Sequence, residues 1–132
     1  MKAKVGSGAV KLENVKAPLI LDQLQCTYVP HALALREGQP LLVVNKEPIA
    51  HNVKVSSLSG KNEANPIMPP NTYEIFRWKE EKSVLMVECS IHGWMRMHAM
   101  VFDHTYYAVT NGNGEFMIDN VPAGDQDLAL RL

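Results

Sequence analysis

Two cysteines, Cys26 and Cys89, are the only thiols in 132 residues. That is too few for a disulfide framework, and a single bridge between them is the plainest use of the pair. Charge of one sign is also missing: 13 Lys and Arg against 14 Asp and Glu leave a net −1. This balance gives no electrostatic case for nucleic acid or an anionic membrane. No apolar run approaches the roughly 20 residues of a membrane-spanning helix. Residues 1–8 lack the apolar segment of an export signal. The expectation is therefore either a cytoplasmic chain or a mature domain whose signal has been removed. There is no internal repeat, no low-complexity tract and no amphipathic stretch long enough for a helix. A chain of this length buries a core without staples, so residues 1–132 are expected to form one domain.

What the sequence does contain is short β-like runs separated by turn residues. After an alternating segment at 9–13, such runs occur at 18–23, 26–31, 32–36, 41–45, 51–55, 73–78, 83–88 and 97–103. Residues 56–72 read as a loop punctuated by Ser, Gly, Asn and three prolines. The Asn111-Gly112-Asn113-Gly114 turn between 106–110 and 115–118 is a strong hairpin signal, and 126–130 reads as a last strand. Many short strands at this spacing predict an all-β, Greek-key β-sandwich, with the core at about 18–103 and a C-terminal β-hairpin extension at about 104–132.

One stretch carries chemistry. Cys89-Ser90-Ile91-His92-Gly93-Trp94-Met95 sets a thiol, an imidazole and a thioether at three-residue steps, just after the run 83–88. His51, upstream in Ile49-Ala50-His51-Asn52-Val53, completes a set of four. Cys, two His and a weak Met are the ligands of a blue-copper electron-transfer site, a trigonal plane with a long axial thioether. Imidazole ligands need a fixed tautomer, and Asn52 and Ser90 are the polar neighbours best placed to help set it. Cys with two His also suits Zn(II), and the disulfide reading would leave His51, His92 and Met95 without a shared explanation. No acid–base pair or nucleophile–base arrangement stands out, so the chain is not expected to be an enzyme.

Asn45…Pro48-Ile49-Ala50-His51-Asn52-Val53 together with Cys89–Arg96 resembles the cupredoxins of the plastocyanin/amicyanin-like type, amicyanin above all, over roughly residues 20–103. The resemblance implies one type 1 copper ion cycling between Cu(II) and Cu(I), with His51, Cys89 and His92 as strong ligands and Met95 as the axial one. It also implies a hydrogen bond from the Asn52 backbone N–H to the Cys89 sulfur. Electrons would pass through the exposed edge of His92 to redox protein partners docking there, in the periplasm or another exported compartment. An alternative is a copper storage or delivery protein using the same Cys/His/Met loop. The stretch 26–31 and the pair Gly93-Trp94 depart from the amicyanin pattern. The segment from His104 onward is extra and resembles a carboxypeptidase-regulatory-like segment.

Other candidates have plainer readings. Cys26 reads as a buried thiol, with a second soft-metal position between Cys26 and His31 as a minor hypothesis. His98 and Met97 face opposite sides of one strand. Met97, Met100 and Met117 read as core filler, with a methionine-rich copper-transfer face as the alternative. Trp94 and Ile91, with Pro48 and Ile49, either form an apolar rim around His92 or lose Trp94 to the interior.

Overall fold

The computed structural model describes residues 18–131; the alternating segment at 9–13 lies outside them. Ten strands follow in order: β1 (Leu19–Leu24), β2 (Thr27–Val29), β3 (Ala32–Arg36), β4 (Pro40–Asn45), β5 (His51–Asn52), β6 (Lys54–Ser56), β7 (Ile67–Met68), β8 (Thr72–Arg77), β9 (Leu85–Glu88) and β10 (Arg96–Phe102). No helix forms among the described residues.

Alternation decides which side of each strand is buried. In β4, Leu41, Val43 and Asn45 turn inward, and in β10 Met97, Ala99 and Val101 do so. One sheet runs β2-β1-β4-β8 and the other β3-β10-β9-β6, with β5 and β7 as a small separate pair. Leu21, Leu41 and Val43 of the first sheet share a core with Leu85, Val87 and Met97 of the second. Each such fully buried side chain contributes about 1.5–3 kcal/mol. The product is the predicted β-sandwich. Gly38 makes the β3–β4 turn at φ +74°, where a side chain would be strained.

The topology gathers the loops of interest at one end. β1 runs parallel to β4, with Gln23 beside Asn45, so the β1–β2 turn and the loop after β4 emerge together. In the other sheet, Glu88 at the end of β9 pairs with Lys54 of β6 and Arg96 of β10, which brings the Cys89–Met95 loop beside residues 51–53.

The C-terminal extension is a correction. Residues 104–131 contribute no strand, so the expected hairpin and last strand do not form. Its turn exists: Gly114 N–H donates to Asn111 O (3.0 Å) and Asn111 N–H to Glu115 O (2.9 Å). The flanking apolar side chains, including Phe116, Met117 and Leu130, are exposed, so no core holds the arms. An isolated hairpin is marginal without such a face. Met117 is therefore not core filler. Contacts near the start of the segment hold it locally, where Tyr107 stacks on Phe102 at 4.9 Å between ring centroids.

Candidate metal centre

Cys89 follows β9 directly, and His92 and Met95 lie in the turn that leads into β10. Two backbone bonds close that turn: Met95 N–H to His92 O (2.9 Å) and Cys89 N–H to Met95 O (3.1 Å). His51 enters from the facing side, fully buried and paired with Met68. The turn thus carries three of the predicted residues, and the topology supplies the fourth.

The donor atoms of Cys89, His51 and His92 converge. The Cys89 sulfur lies 3.9 Å from His51 Nδ1 and 3.7 Å from His92 Nδ1, and the two Nδ1 atoms are 3.0 Å apart. A trigonal ion with M–S near 2.3 Å and M–N near 2.05 Å would give S···N edges of about 3.8 Å and an N···N edge of about 3.6 Å. The sulfur edges already fit, and the nitrogen edge needs a small opening. Met95 is buried on the same turn, at 1% exposure. A thiolate, two imidazoles and a thioether are a soft-to-borderline donor set suited to a metal with two accessible oxidation states or to Zn(II).

Glu47 is the residue that the motif does not include. Its Oε2 lies 2.6 Å from His51 Nε2. A carboxylate only accepts, so the His51 proton sits on Nε2 and the lone pair of Nδ1 faces the Cys89 sulfur. Burial raises the Glu47 pKa, but bonds from His51 and from the backbone N–H groups of Cys26 and Gln25 outweigh it and hold the carboxyl below its ordinary value. Glu47 lies four residues before His51, but in an irregular turn, where that spacing carries no directional signal.

Asn52 and Ser90 brace the turn from the other side. Ser90 N–H donates to Asn52 Oδ1 (2.6 Å), and Asn52 Nδ2 donates to Ser90 Oγ (3.1 Å). Asn52 therefore reaches the loop through its side chain. Its backbone carbonyl accepts from buried Tyr28 Oη (2.6 Å). The Tyr28 pKa is pushed up by burial, then by Cys89 and Glu88, which keeps the phenol a donor.

Cys26 and Cys89 are both free, and Cys26 is half-buried rather than buried. Cys26 does not pair with His31, which is exposed and whose carbonyl accepts from His98 N–H (2.9 Å). Instead a ligand atom from each of Cys26, His51 and His92 lies within 4.8 Å of the others. Partial burial, then Glu47 and Cys89, push the Cys26 thiol upward. Trp94 turns outward at 68% exposure, 5.5 Å from His92 between ring centroids, and its Nε1–H donates to Cys26 O (2.9 Å). Ile91, three residues before it, and Ile49, two before His51, are also exposed.

No protein-family model and no curated protein matches this sequence. Solved structures do. One is a purple cupredoxin from Nitrosopumilus maritimus, with a TM-score of 0.53 and 20% identity over 64% of this chain and 99% of that one. Another is an amicyanin variant in its Cu(I) form, with a TM-score of 0.55 and 21% identity over 77% of this chain and all (100%) of that one. A third is a copper-containing nitrite reductase from Thermus scotoductus SA-01, with a TM-score of 0.58 and 19% identity over 74% of this chain but only 25% of that one. At these identities the comparison speaks for architecture, and the architecture is that of the cupredoxin β-sandwich.

Proposed function

We propose that this chain is a single-domain, mononuclear copper protein that carries electrons between redox partners. His51, Cys89 and His92 are its strong ligands and Met95 its axial one. The observation that carries this reading is the triangle of Cys89 Sγ, His51 Nδ1 and His92 Nδ1 at one end of the sandwich. The cupredoxin neighbours, several of them described in Cu(I) or oxidised forms, support it. Copper held there would supply a Cu(II)/Cu(I) couple and nothing more.

The chain's own residues do the rest. The closed turn 89–95 and the Glu47–His51 bond hold the donors through contacts within the chain, which would limit rearrangement on electron transfer. Burial of Cys89 and His51 keeps water from the thiolate. His92 is the ligand nearest the surface, and Trp94 and Ile91 give its surroundings an exposed apolar character suited to a small, transient docking surface. We assign no substrate or acid–base chemistry to the site and do not read the chain as an enzyme. An exported, periplasmic setting accords with the resemblance of its metal-binding motifs to those of amicyanin.

A visible spectrum tests the proposal. With one equivalent of Cu(II), the protein is expected to show an intense thiolate band that ascorbate bleaches and reoxidation restores. Cys89→Ser is expected to abolish it. A Cys89→Ser protein that stays intensely coloured, or a wild type that stays colourless and holds zinc, would overturn the assignment. Tight Cu(I) retention without reversible colour would favour storage or delivery instead.

A further inference from the structure

Building on the copper reading, we infer that Cys26 gives the His51–His92 pair a second thiolate, forming an outer ligand set through which Cu(I) reaches the inner set of Cys89, His51, His92 and Met95. Cys26 and the two His already bring their ligand atoms within 4.8 Å of one another. The two sets share both imidazoles, so they cannot be filled together and must act in sequence.

Access differs between the two sulfurs. Cys89 is 2% exposed, whereas Cys26 is half-buried at the tip of the β1–β2 turn. An arriving ion meets Cys26 first. The position of Cys26 is also tightly determined. Gln25 and Cys26 adopt φ +51° and +52° as the two central residues of the tight hairpin turn that pairs Leu24 with Thr27. That turn is tied to the site. Cys26 N–H donates to both Glu47 oxygens (3.2 Å each), and the same carboxylate orients His51. Cys26 O accepts from the Trp94 indole, whose ring packs against His92. Both polar backbone groups of one residue are thus spent on neighbours of the two shared imidazoles.

Thiolate and imidazole are both good Cu(I) ligands, and Cu(I) accepts low coordination numbers, so the transfer balances without any redox partner. A donor releases Cu(I), and the Cys26 thiol loses its proton to solvent as the Cu–S bond forms. The Cys89 thiol then loses its proton and binds the ion while the Cu–S bond to Cys26 breaks and Cys26 is reprotonated. Copper remains Cu(I) throughout, and one proton is released overall.

The test uses the full-length apo-protein and Cu(I) supplied as its bicinchoninate complex, followed by stopped flow, with the final spectrum recorded after reoxidation. Cys26→Ser is expected to load more slowly than wild type and to finish with an unchanged thiolate band. Cys89→Ser is expected still to withdraw one Cu(I), without colour, while Cys26→Ser/Cys89→Ser loses that uptake. Wild-type loading rates in Cys26→Ser would overturn the inference, as would an absence of Cu(I) uptake by Cys89→Ser. A shifted band in Cys26→Ser would make Cys26 a permanent ligand and equally overturn staged transfer. Failure of the wild type itself to take copper would instead refute the copper reading on which the inference rests.

Discussion

Glu47→Gln isolates the contribution of one carboxylate to a metal site that it does not touch. Glu47 accepts from His51 Nε2 at 2.6 Å and from Cys26 N–H at 3.2 Å to each oxygen. Glutamine keeps the shape but replaces one acceptor with a donor. If its oxygen faces His51, its NH2 meets the Cys26 N–H, donor against donor. If its NH2 faces His51, the imidazole must move its proton to Nδ1, the nitrogen aimed at the Cys89 sulfur and required for the metal. Either orientation forfeits a charge-assisted bond worth about 1.5–3 kcal/mol. The expected result is a loss of copper affinity of roughly ten- to a hundredfold. Competition against a chromophoric chelator measures it, with urea unfolding of the apo-protein as the control for folding. Affinity unchanged within about threefold, a limit set well below the loss expected for an orienting partner, in a variant that unfolds normally would refute the tautomer argument.

Two further outcomes follow from the same structure. Met95→Leu swaps two buried side chains of similar volume, so stability should fall by less than about 1.5 kcal/mol. Copper should be retained and the potential should rise, because a weak donor to Cu(II) is removed; voltammetry checks this, and loss of all copper would show that Met95 is no weak ligand. Glu81 is buried and accepts from the Ser57 and Ser59 hydroxyls, which hold its carboxyl below the ordinary range. A depressed folded-state value stabilises above the unfolded carboxyl pKa and stops doing so as pH falls through the folded one. Glu81→Gln should therefore cost about 1–2 kcal/mol at pH 7, with the gap to wild type closing below about pH 4. Urea midpoints at both pH values decide it, and an equal gap at each would contradict the assignment.

The strands of the sandwich were legible because short alternating or apolar runs stand between turn residues. Met97 against His98 in β10 is visible as period two, whereas Leu41-Leu42-Val43-Val44 reads only as an apolar run bounded by turn residues, and which of its side chains turn inward is set by the packing of the two sheets. The tail misled because its turn chemistry is sound while its arms find no sheet to join. A hairpin signal describes a turn and not the face that would bury it. In the candidate site, Cys89, His92 and Met95 stood out because donor type and spacing within one turn are local properties of the chain, whereas His51, far upstream, entered through the resemblance of the 45–53 motif to amicyanin. Cys26 was not legible there, since its approach to the site depends on β1 lying parallel to β4, a long-range pairing that places two turns side by side, and Glu47 sits four residues from His51 in an irregular turn, where spacing sets no side-chain direction. Trp94 was undecidable for a similar reason: its indole is held outward by a carbonyl 68 residues away.

Asn45 is fully buried, and its amide has a reach out of proportion to its size. Its Nδ2 faces the carbonyls of Ile49 (2.9 Å), Met68 (3.0 Å) and Pro69 (3.1 Å), and its Oδ1 accepts from Glu47 N–H (3.0 Å). One side chain thus staples the loop before His51 to the strand that pairs with it. The carboxylate that orients His51 hangs from that staple. The His51 side of the candidate site is therefore anchored to the sandwich through one buried amide, so a change at Asn45, which bonds to none of the four proposed ligand side chains, should be felt throughout the chemistry of that end.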